Sequence, residues 1–509
     1  MITIYSPSAS RELDARCIQA GSTESALITM ASTAATTVIR QILGREISDS
    51  SRRMNILVVC GPGNNGADGL MIAGMLCDAN SITVVIPDAS TTVSAGYAYA
   101  LERLPDSVRC IEHQHARELH GQTFDAVIDA LLGTGARRPL SDDYRHLTDF
   151  MNSCCSRRIA IDIPTGLDGL TGEIDSGVVR CQHTVTMEGY KPGLLRQSGP
   201  EVCGRIHIVS IGAPKELSDS VSDGVVLDSD DVAKLLPVRN KVSSKFDYGH
   251  VLVIGGSMGM RGAPSMTAHA ALSIGAGMVE LVTPSVHPLT PREIMTHTVG
   301  CHDDGTISSD SYDAILRRCA RATVVAIGPG MGSNPATVTM MAKVIDAIPS
   351  NVTIVLDADG LRCLPFISPR DGNLILTPHL GELARILNTS RETIVTSYVE
   401  HAKSIATAHN AVVHIKHVPP ATCTREHVSY LQRGNPALAT AGAGDILTGI
   451  IAGLAAQGMQ AYDAARCGAW LHASAADEIV TSTHKVSIIA TDLIDVSARL
   501  RGELTASRS

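Results

Sequence analysis

From Met54 to Leu132 short β-branched apolar runs alternate with stretches of helical spacing: MNILVVC, DGLMIAGMLCDA, SITVVIPD, a further helical stretch, then FDAVIDALL. Apolar runs of that length bounded by turn residues predict strands, and apolar positions three and four apart predict amphipathic helices. Their succession predicts a parallel sheet with right-handed crossovers. RIAIDIP and a β-rich tail reaching His207 complete a unit of domain size. The pattern lapses between Pro214 and Asp247, where KELSDSVSDG is polar and LPVRNKVSSKFDYGH is charged and turn-rich, which places a boundary near residue 224 and domains at 1–223 and 224–509. The alternation then resumes with strands HVLVIGG, MVELVTP, ATVVAIGPG, TIVLDAD and NLILTP, a helix in APSMTAHAALSIGAG, a hairpin around CTREHVSYLQ and helical spacing in GDILTGIIAGLAAQG. The expectation is an α/β protein of two different three-layer domains, with no fixed-period repeat.

Composition agrees. A chain of 509 residues exceeds the size at which one core stops growing, and 44% hydrophobic residues, 18% charged residues and 44 glycines describe a globular protein rich in turns. A net charge of -9 leaves no basic field for a nucleic-acid backbone, so nucleic acid is not expected as a partner. The 13 cysteines form no Cys-x-x-Cys pair, which argues against a zinc ribbon or redox dithiol and predicts reduced, mostly buried thiols. The first residues lack a basic stretch followed by an apolar one, and ILTGIIAGLAAQG, the longest weakly polar run, is too short to span a bilayer. The expectation is a cytoplasmic protein without a membrane segment.

Candidate chemistry begins where MNILVVC meets GPGNNGADGL (Gly61–Leu70), whose first six residues match the Gly-x-Gly-x-x-Gly of dinucleotide loops. A helix opened by such a loop turns its first N–H groups toward a phosphate, and Asp88, ending the next strand, stands near the spacing of a ribose-binding acid. Asn64, Asn65 and Asp68 exceed what phosphate approach requires. They either coordinate a monovalent cation or steer a proton, or they serve a turn in which Asn favours left-handed backbone. Asp129 in DALLGTGARRP and Asp162 in DIPTGLDG each end an apolar strand, the edge at which open α/β sheets bind ligands; each is alternatively a cap or Asx-turn residue. In the second half GNPALATAGAGDILTG (Gly434–Gly449) opens a helix with small residues before Asp445. The N–H groups of that turn suit an anion hole for a phosphoryl group, and Asp445 beside it suits the base that takes the proton of an attacking hydroxyl. The alternative is an N-cap behind a glycine hinge.

NNGADG, DALLGTG, DIPTGLDG and KPGLL (Lys191–Leu195), in that order, resemble the epimerase domain of the bifunctional NAD(P)H-hydrate repair enzymes over roughly residues 1–215. The resemblance implies a Rossmann-like fold that holds the hydrates NADHX and NADPHX through Asn64, Asn65, Gly66, Ala67 and Asp68, the loop Gly133, Thr134, Gly135, Ala136, Arg137, Arg138 and Pro139, and a catalytic Asp162, with K⁺ at Asn65, Asp129 and Thr165. GHVLVIGGS, GAP (Gly262–Pro264), AIGPGMG, VLDADGL, ILTPHLGE and the Gly-Ala-Gly-Asp turn resemble the dehydratase domain of the same enzymes over roughly residues 225–500. They imply a ribokinase-like fold with Ala263, Gly332, His379 and a catalytic Asp445 on the hydrated dinucleotide. Lys416, Gly442, Ala443 and Gly444 are implied for the phosphoryl donor, ADP or alternatively ATP, with Mg²⁺. The activity implied is exchange of the R and S hydrates, followed by dehydration of the S form through a phosphorylated intermediate; a homo-oligomer, favouring a tetramer, is implied as well. This chain departs from the family pattern at Thr165, where Ser is usual, at the proline-stiffened Lys416–Pro420 segment, and at Phe246, which replaces an expected Gly and predicts an altered approach to the site. Trp470 and His472 are expected to pack a helix. Two rivals stay open: a small-molecule kinase beside a Rossmann-like regulatory domain, and a dinucleotide sensor without turnover.

Overall fold

The computed structural model describes residues 1–46, 53–135, 139–154, 157–370, 373–506 and 508, which form compact units over Ile2–Val225 and Val226–Ser509. In the first unit a seven-stranded sheet is built from β1 (Asn55–Cys60), β2 (Ser81–Ile86), β3 (Arg109–Glu112), β4 (Ala126–Ala130), β5 (Arg157–Ile161), β6 (His183–Met187) and β7 (Arg205–Val209). They pair in parallel in the order β3-β2-β1-β4-β5-β6-β7, the doubly wound arrangement of a Rossmann-like domain. Strand pleat explains the layers: Ile56, Val58 and Cys60 pack with Leu70 and Ile39 on one face, and Leu57 and Val59 pack with Leu147 and Met151 on the other. Among the described residues one helical stretch, Glu24–Gly44, is long and apolar enough to cross a membrane by length and composition. It exceeds the apolar run singled out in the sequence. Ile28, Ala35, Ile39 and Leu43 on it are buried in this core, so its apolar stripe is accounted for by packing.

In the second unit the strands are β8 (His250–Ile254), β9 (Met278–Thr283), β10 (Met295–Thr298), β11 (Val324–Ile327), β12 (Thr353–Leu356), β13 (Leu374–Leu376), β14 (Val412–Ile415), β15 (Ala421–Cys423) and β16 (Val428–Tyr430). From β10 through β9, β8, β11, β12 and β13 to β14 neighbours are parallel, while the hairpin β15/β16 adds to β14 antiparallel. The sequence pattern missed β10 because MTHT is an exposed edge with no apolar alternation, and passed over β14, whose fully buried VVHI is short.

The helix Ala443–Ala456 lies against the helix Gly262–Ser273 at Gly449 and Gly453. A Cβ on Gly449 would stand 2.2 Å from the Thr267 carbonyl oxygen, and one on Gly453 2.6 Å from that of Ala271. Two glycines one turn apart thus let the backbones touch, and the first turns of both helices arrive together. Phe246 belongs to the turn Lys245–Tyr248 that enters β8 and is 70% exposed. It therefore sits at the strand end opposite the Gly-rich loops, which corrects the expectation that it alters their approach.

Candidate active sites

In the first unit strand order reverses between β1 and β4, and the Gly-rich loop leaves β1 there, where open α/β sheets receive ligands. A Cβ on Gly61 would stand 1.7 Å from the Leu131 oxygen and one on Gly66 1.8 Å from the Gly61 oxygen, whereas one on Gly63 meets nothing within 4 Å. The turn is closed on its inner side and open toward a cleft of about 550 Å³ walled by Asn64, Asn65, Asp68, Gly133, Thr134, Gly135 and Asp162. The helix starts at Asn64, earlier than the sequence pattern suggested, so its period turns Gly66 and Ala67 into the core and Asn64, Asn65 and Asp68 to the cleft. Pro139 lies off the cleft wall, and Ala136, Arg137 and Arg138 fall outside the described residues. Asp88 also lies off the wall and accepts the Gln114 N–H at 3.0 Å, a turn contact rather than a ribose contact.

Asp162 adopts φ 67°, a left-handed backbone that few non-glycine residues take. Its Oδ1 accepts from Lys191 Nζ at 2.7 Å and its Oδ2 from the Thr134 N–H at 3.4 Å. Lys191 is 2% exposed and donates also to Thr186 Oγ1 at 3.0 Å and the Met187 carbonyl at 2.9 Å, which uses all three of its protons. Asp68 takes the Ser32 hydroxyl at 2.9 Å. Burial lifts its carboxyl to about 8, opposed by the Ser32 bond and aided by Asp162 and Asp14. One ion-paired carboxylate and one carboxyl held protonated by burial therefore share the cleft, a pairing suited to acid and base roles at one substrate.

Beneath the loop Asp129 is fully buried and accepts the N–H and hydroxyl of Thr165, each at 2.7 Å, and the Leu131 N–H at 3.2 Å. Burial lifts its carboxyl to about 6 against those bonds. Asn65 packs on Gly133, and its buried Nδ2 has no partner among the described residues. The Asp129 carboxylate and Thr165 hydroxyl are hard oxygen donors of the kind alkali cations take.

In the second unit the reversal falls between β8 and β11. The loops that follow them are tied together: the Gly256 N–H donates to the Pro329 carbonyl and Ser257 Oγ to that of Gly330, each at 2.9 Å, and Asp359 Oδ2 accepts the Gly332 N–H at 2.9 Å. Ala263 begins the helix over this seam, and Thr267 on that helix donates to the Asp445 carbonyl at 3.0 Å, so Ala263, Gly332 and Asp445 border one place. Gly442 is the N-cap, at φ 90°, and Asp445 is the third helical residue, so capping does not account for it. The first helical N–H groups lack intrahelical acceptors and face outward with the positive end of the dipole. Burial pushes Asp445 up to about 7, with Asp357 adding, Lys416 opposing and Glu382 adding.

His379 caps the helix Leu380–Ile386: Nδ1 accepts the N–H groups of Gly381 and Glu382 at 3.0 and 3.2 Å, and Glu382 accepts the His379 N–H at 2.9 Å. The ring is 57% exposed, and its Nε2 stands 3.6 Å from Glu382 Oε1. The Lys416 N–H bonds the Pro378 carbonyl at 2.9 Å, which brings the end of β14 beside His379. Lys416 Nζ reaches Asp357 Oδ1 at 2.5 Å and Glu382 Oε2 at 3.9 Å, and lies 3.3 Å from a Cβ built on Gly444. Asp357 and Glu382 are charged residues at this edge that the motif reading did not include among the candidates. Asp357 ends an apolar strand as Asp129 and Asp162 nearly do, so the same rule applied to VLDADGL finds it. Trp470 is buried in the core, as is His472, whose value burial pushes down to about 4.

Comparison with known proteins finds a family for each of the two units. A family profile described as NAD(P)H-hydrate dehydratase matches residues 251–499, and one described as YjeF-related protein N-terminus matches residues 24–193. The chain is 33% identical over 457 residues to the bifunctional NAD(P)H-hydrate repair enzyme Nnr of Moorella thermoacetica, covering 86% of each. It is 32% identical over 501 residues to that of Coxiella burnetii, covering 97% of this chain and 98% of the relative. A ribokinase-like superfamily protein of Enterococcus faecalis, 21% identical, superposes with a TM-score of 0.50 over 55% of this chain and 96% of its own, which shows the fold of the second unit. With both family profiles matched in order and relatives above 30% identity aligned over most of their length, the chain belongs to the bifunctional NAD(P)H-hydrate repair enzymes.

Proposed function

We propose that the first unit exchanges the R and S hydrates of NADH and NADPH, and that the second returns the S hydrate to NAD(P)H at the expense of ADP. The observation that supports this most directly is Asp445, a carboxyl with a value of about 7 set beside an open helix N-terminus. The hydrate carries a hydroxyl on the ring carbon next to nitrogen, and hydroxide is a poor leaving group. Asp445 takes the hydroxyl proton as that oxygen attacks the terminal phosphorus of ADP, and AMP leaves. The ring-nitrogen electron pair then expels phosphate, and loss of a proton from the adjacent carbon restores the dihydropyridine. The N–H groups of Ala443, Gly444 and Asp445 receive the phosphoryl oxygens in flight. Mg²⁺ bound on the nucleotide's phosphates would neutralise their charge.

In the first unit Asp68 gives its proton to the departing hydroxyl of one epimer, Asp162, paired with Lys191 at 2.7 Å, takes the proton of the water that returns on the other face, and proton exchange with solvent resets both. Asn65, Asp129 and Thr165 would hold K⁺, which supplies positive charge beneath the loop. We place the enzyme in the cytoplasm and expect a tetramer, which light scattering on the purified chain reads directly. The deciding assay follows absorbance at 340 nm with mixed R and S NADHX, Mg²⁺, K⁺ and either ADP or ATP. Recovery beyond the S fraction, faster with ADP, is expected. No recovery with either nucleotide, or a stable phosphorylated product, overturns the dehydratase reading, and recovery of the S fraction alone overturns the epimerase reading.

A further inference from the structure

Asp357 closes β12 at the edge where the phosphoryl chemistry is placed, and it is 1% exposed. Its carboxylate gathers side chains from three other segments: Lys416 after β14 at 2.5 Å and Thr377 after β13 at 2.8 Å on Oδ1, and Thr448 at 2.8 Å on Oδ2. Thr448 lies one turn beyond Asp445 on the same helix. With both oxygens engaged, Asp357 is poorly placed to accept a substrate proton, so its chemistry is that of an anchor. What it anchors is a cation: the Lys416 ammonium is brought against Gly444, on the flank of the anion hole, where the flexible stem of a lysine would not settle without a counter-charge.

We infer that Asp357 is a positioning residue for phosphoryl transfer, holding the Lys416 ammonium beside the Gly442–Asp445 turn so that its N–H meets a non-bridging oxygen of the group in flight. This rests on the proposed phosphoryl chemistry of this site. No proton moves through Lys416. Its ammonium offsets charge while the phosphorus–oxygen bond to AMP breaks and the bond to the substrate oxygen forms; the substrate proton goes to Asp445. The pair also sets the field at Asp445, which is faced by Asp357, by Lys416 and by Glu382 from the helix Leu380–Ile386. Negative Asp357 raises its value and positive Lys416 lowers it, so removing either partner moves Asp445 in a different direction.

The test measures kcat for dehydration of S-NADHX against pH, the KM and calorimetric Kd for MgADP, and the calorimetric unfolding transition of the second unit as a control for its folding, in full-length D357N, K416M and K416R. D357N is expected to lose roughly tenfold or more in kcat with KM changed less, and to shift the acid limb of the profile downward in pH. K416M is expected to lose kcat and shift that limb upward, and K416R, which keeps the charge, to regain part of the loss. Wild-type kcat in D357N, or limbs that move together, overturns the inference, because a merely structural anchor lowers rates without separating them. If D357N does not fold, the Lys416 variants decide: an upward limb in K416M with partial recovery in K416R supports the inference, and an unmoved limb overturns it. Absence of phosphoryl transfer from MgADP and MgATP in the wild type is a different result, which removes the reading of the site itself.

Discussion

Asp445 is legible in sequence as an acid after a run of small residues, but what lifts its carboxyl into the range of the proposed base is tertiary. Its value of about 7 comes from burial together with Asp357 and Glu382, against Lys416, and these charges come from segments far apart in the chain. Since the ionised form takes the substrate proton, kcat for dehydration is expected to fall as pH drops below about 7, visible in a rate profile between about pH 5 and 9. Asp445→Asn is expected to lower kcat by about 10²–10⁴ and leave epimerisation untouched. Near wild-type turnover would remove Asp445 from the mechanism. In the other cleft Asp162→Asn leaves Lys191 buried without its ion pair, and epimerisation is expected to fall while dehydration of pure S hydrate persists. His379 shows why residue type alone stays ambiguous. Its Nδ1 serves the helix cap and its Nε2 stands 3.6 Å from Glu382 Oε1 on a ring that is 57% exposed, so capping accounts for one nitrogen and leaves the binding reading a proposal.

Elements came through the hydrophobic pattern well wherever a strand was long and buried, because a continuous apolar run such as ILVVC on β1 or HVLVI on β8 leaves a clear trace. Exposed edges such as β10 leave none. The start of the helix at Asn64 was also hidden, since Asn and Gly read as loop until a sheet beneath them fixes their backbone. The close contact of the helices Gly262–Ser273 and Ala443–Ala456 depends on both partners and so could not be read from either. GDILTGIIAGLAAQG shows helical spacing, but that Gly449 and Gly453 meet carbonyl groups of another helix is visible only in the fold. Gly449→Ala places a methyl carbon where 2.2 Å separates it from the Thr267 oxygen, so the helices must part. A loss of about 1–3 kcal/mol in the second unit is expected from urea unfolding. Thr267 and Asp445 are joined across this contact, so dehydration should fall under conditions where the variant is still folded, with epimerisation intact. An unchanged kcat would mean that the seam stabilises the unit without aligning Asp445.

At the scale of the whole chain, both units carry their candidate sites at the sheet edge where strand order reverses, and in both an aspartate is paired with a buried or partly buried lysine: Asp162 with Lys191, Asp357 with Lys416. Motifs revealed both edges, since Gly-rich loops after strands are short-range signals. The pairings are long-range and stayed hidden. The two units also differ in how they hold protons, which predicts separate responses to pH. In the first, folded Asp68 and Asp129 keep protons up to about 8 and about 6, whereas unfolded carboxyls release theirs near 3.8. The folded state then binds more protons than the unfolded state across that interval, so stability is fully present below about 4 and is lost as pH rises toward about 8. In the second, Asp445 acts in the same sense up to about 7. There it is opposed by His414 and His472, held neutral down to about 3 and about 4, whose unfolded forms take up protons below 6.5 and so weaken the fold as pH falls. Calorimetry of the full chain in potassium-free buffer, from about pH 5.5 to 8, is expected to show the epimerase transition moving to lower temperature with rising pH while the dehydratase transition moves less. Asp68→Asn, which removes the largest of these protons, should flatten the first response and leave the second. Transitions that shift in parallel, or a first response unchanged in that variant, would mean that Asp68 is not held protonated in the folded cleft and would remove it as the acid in hydrate exchange.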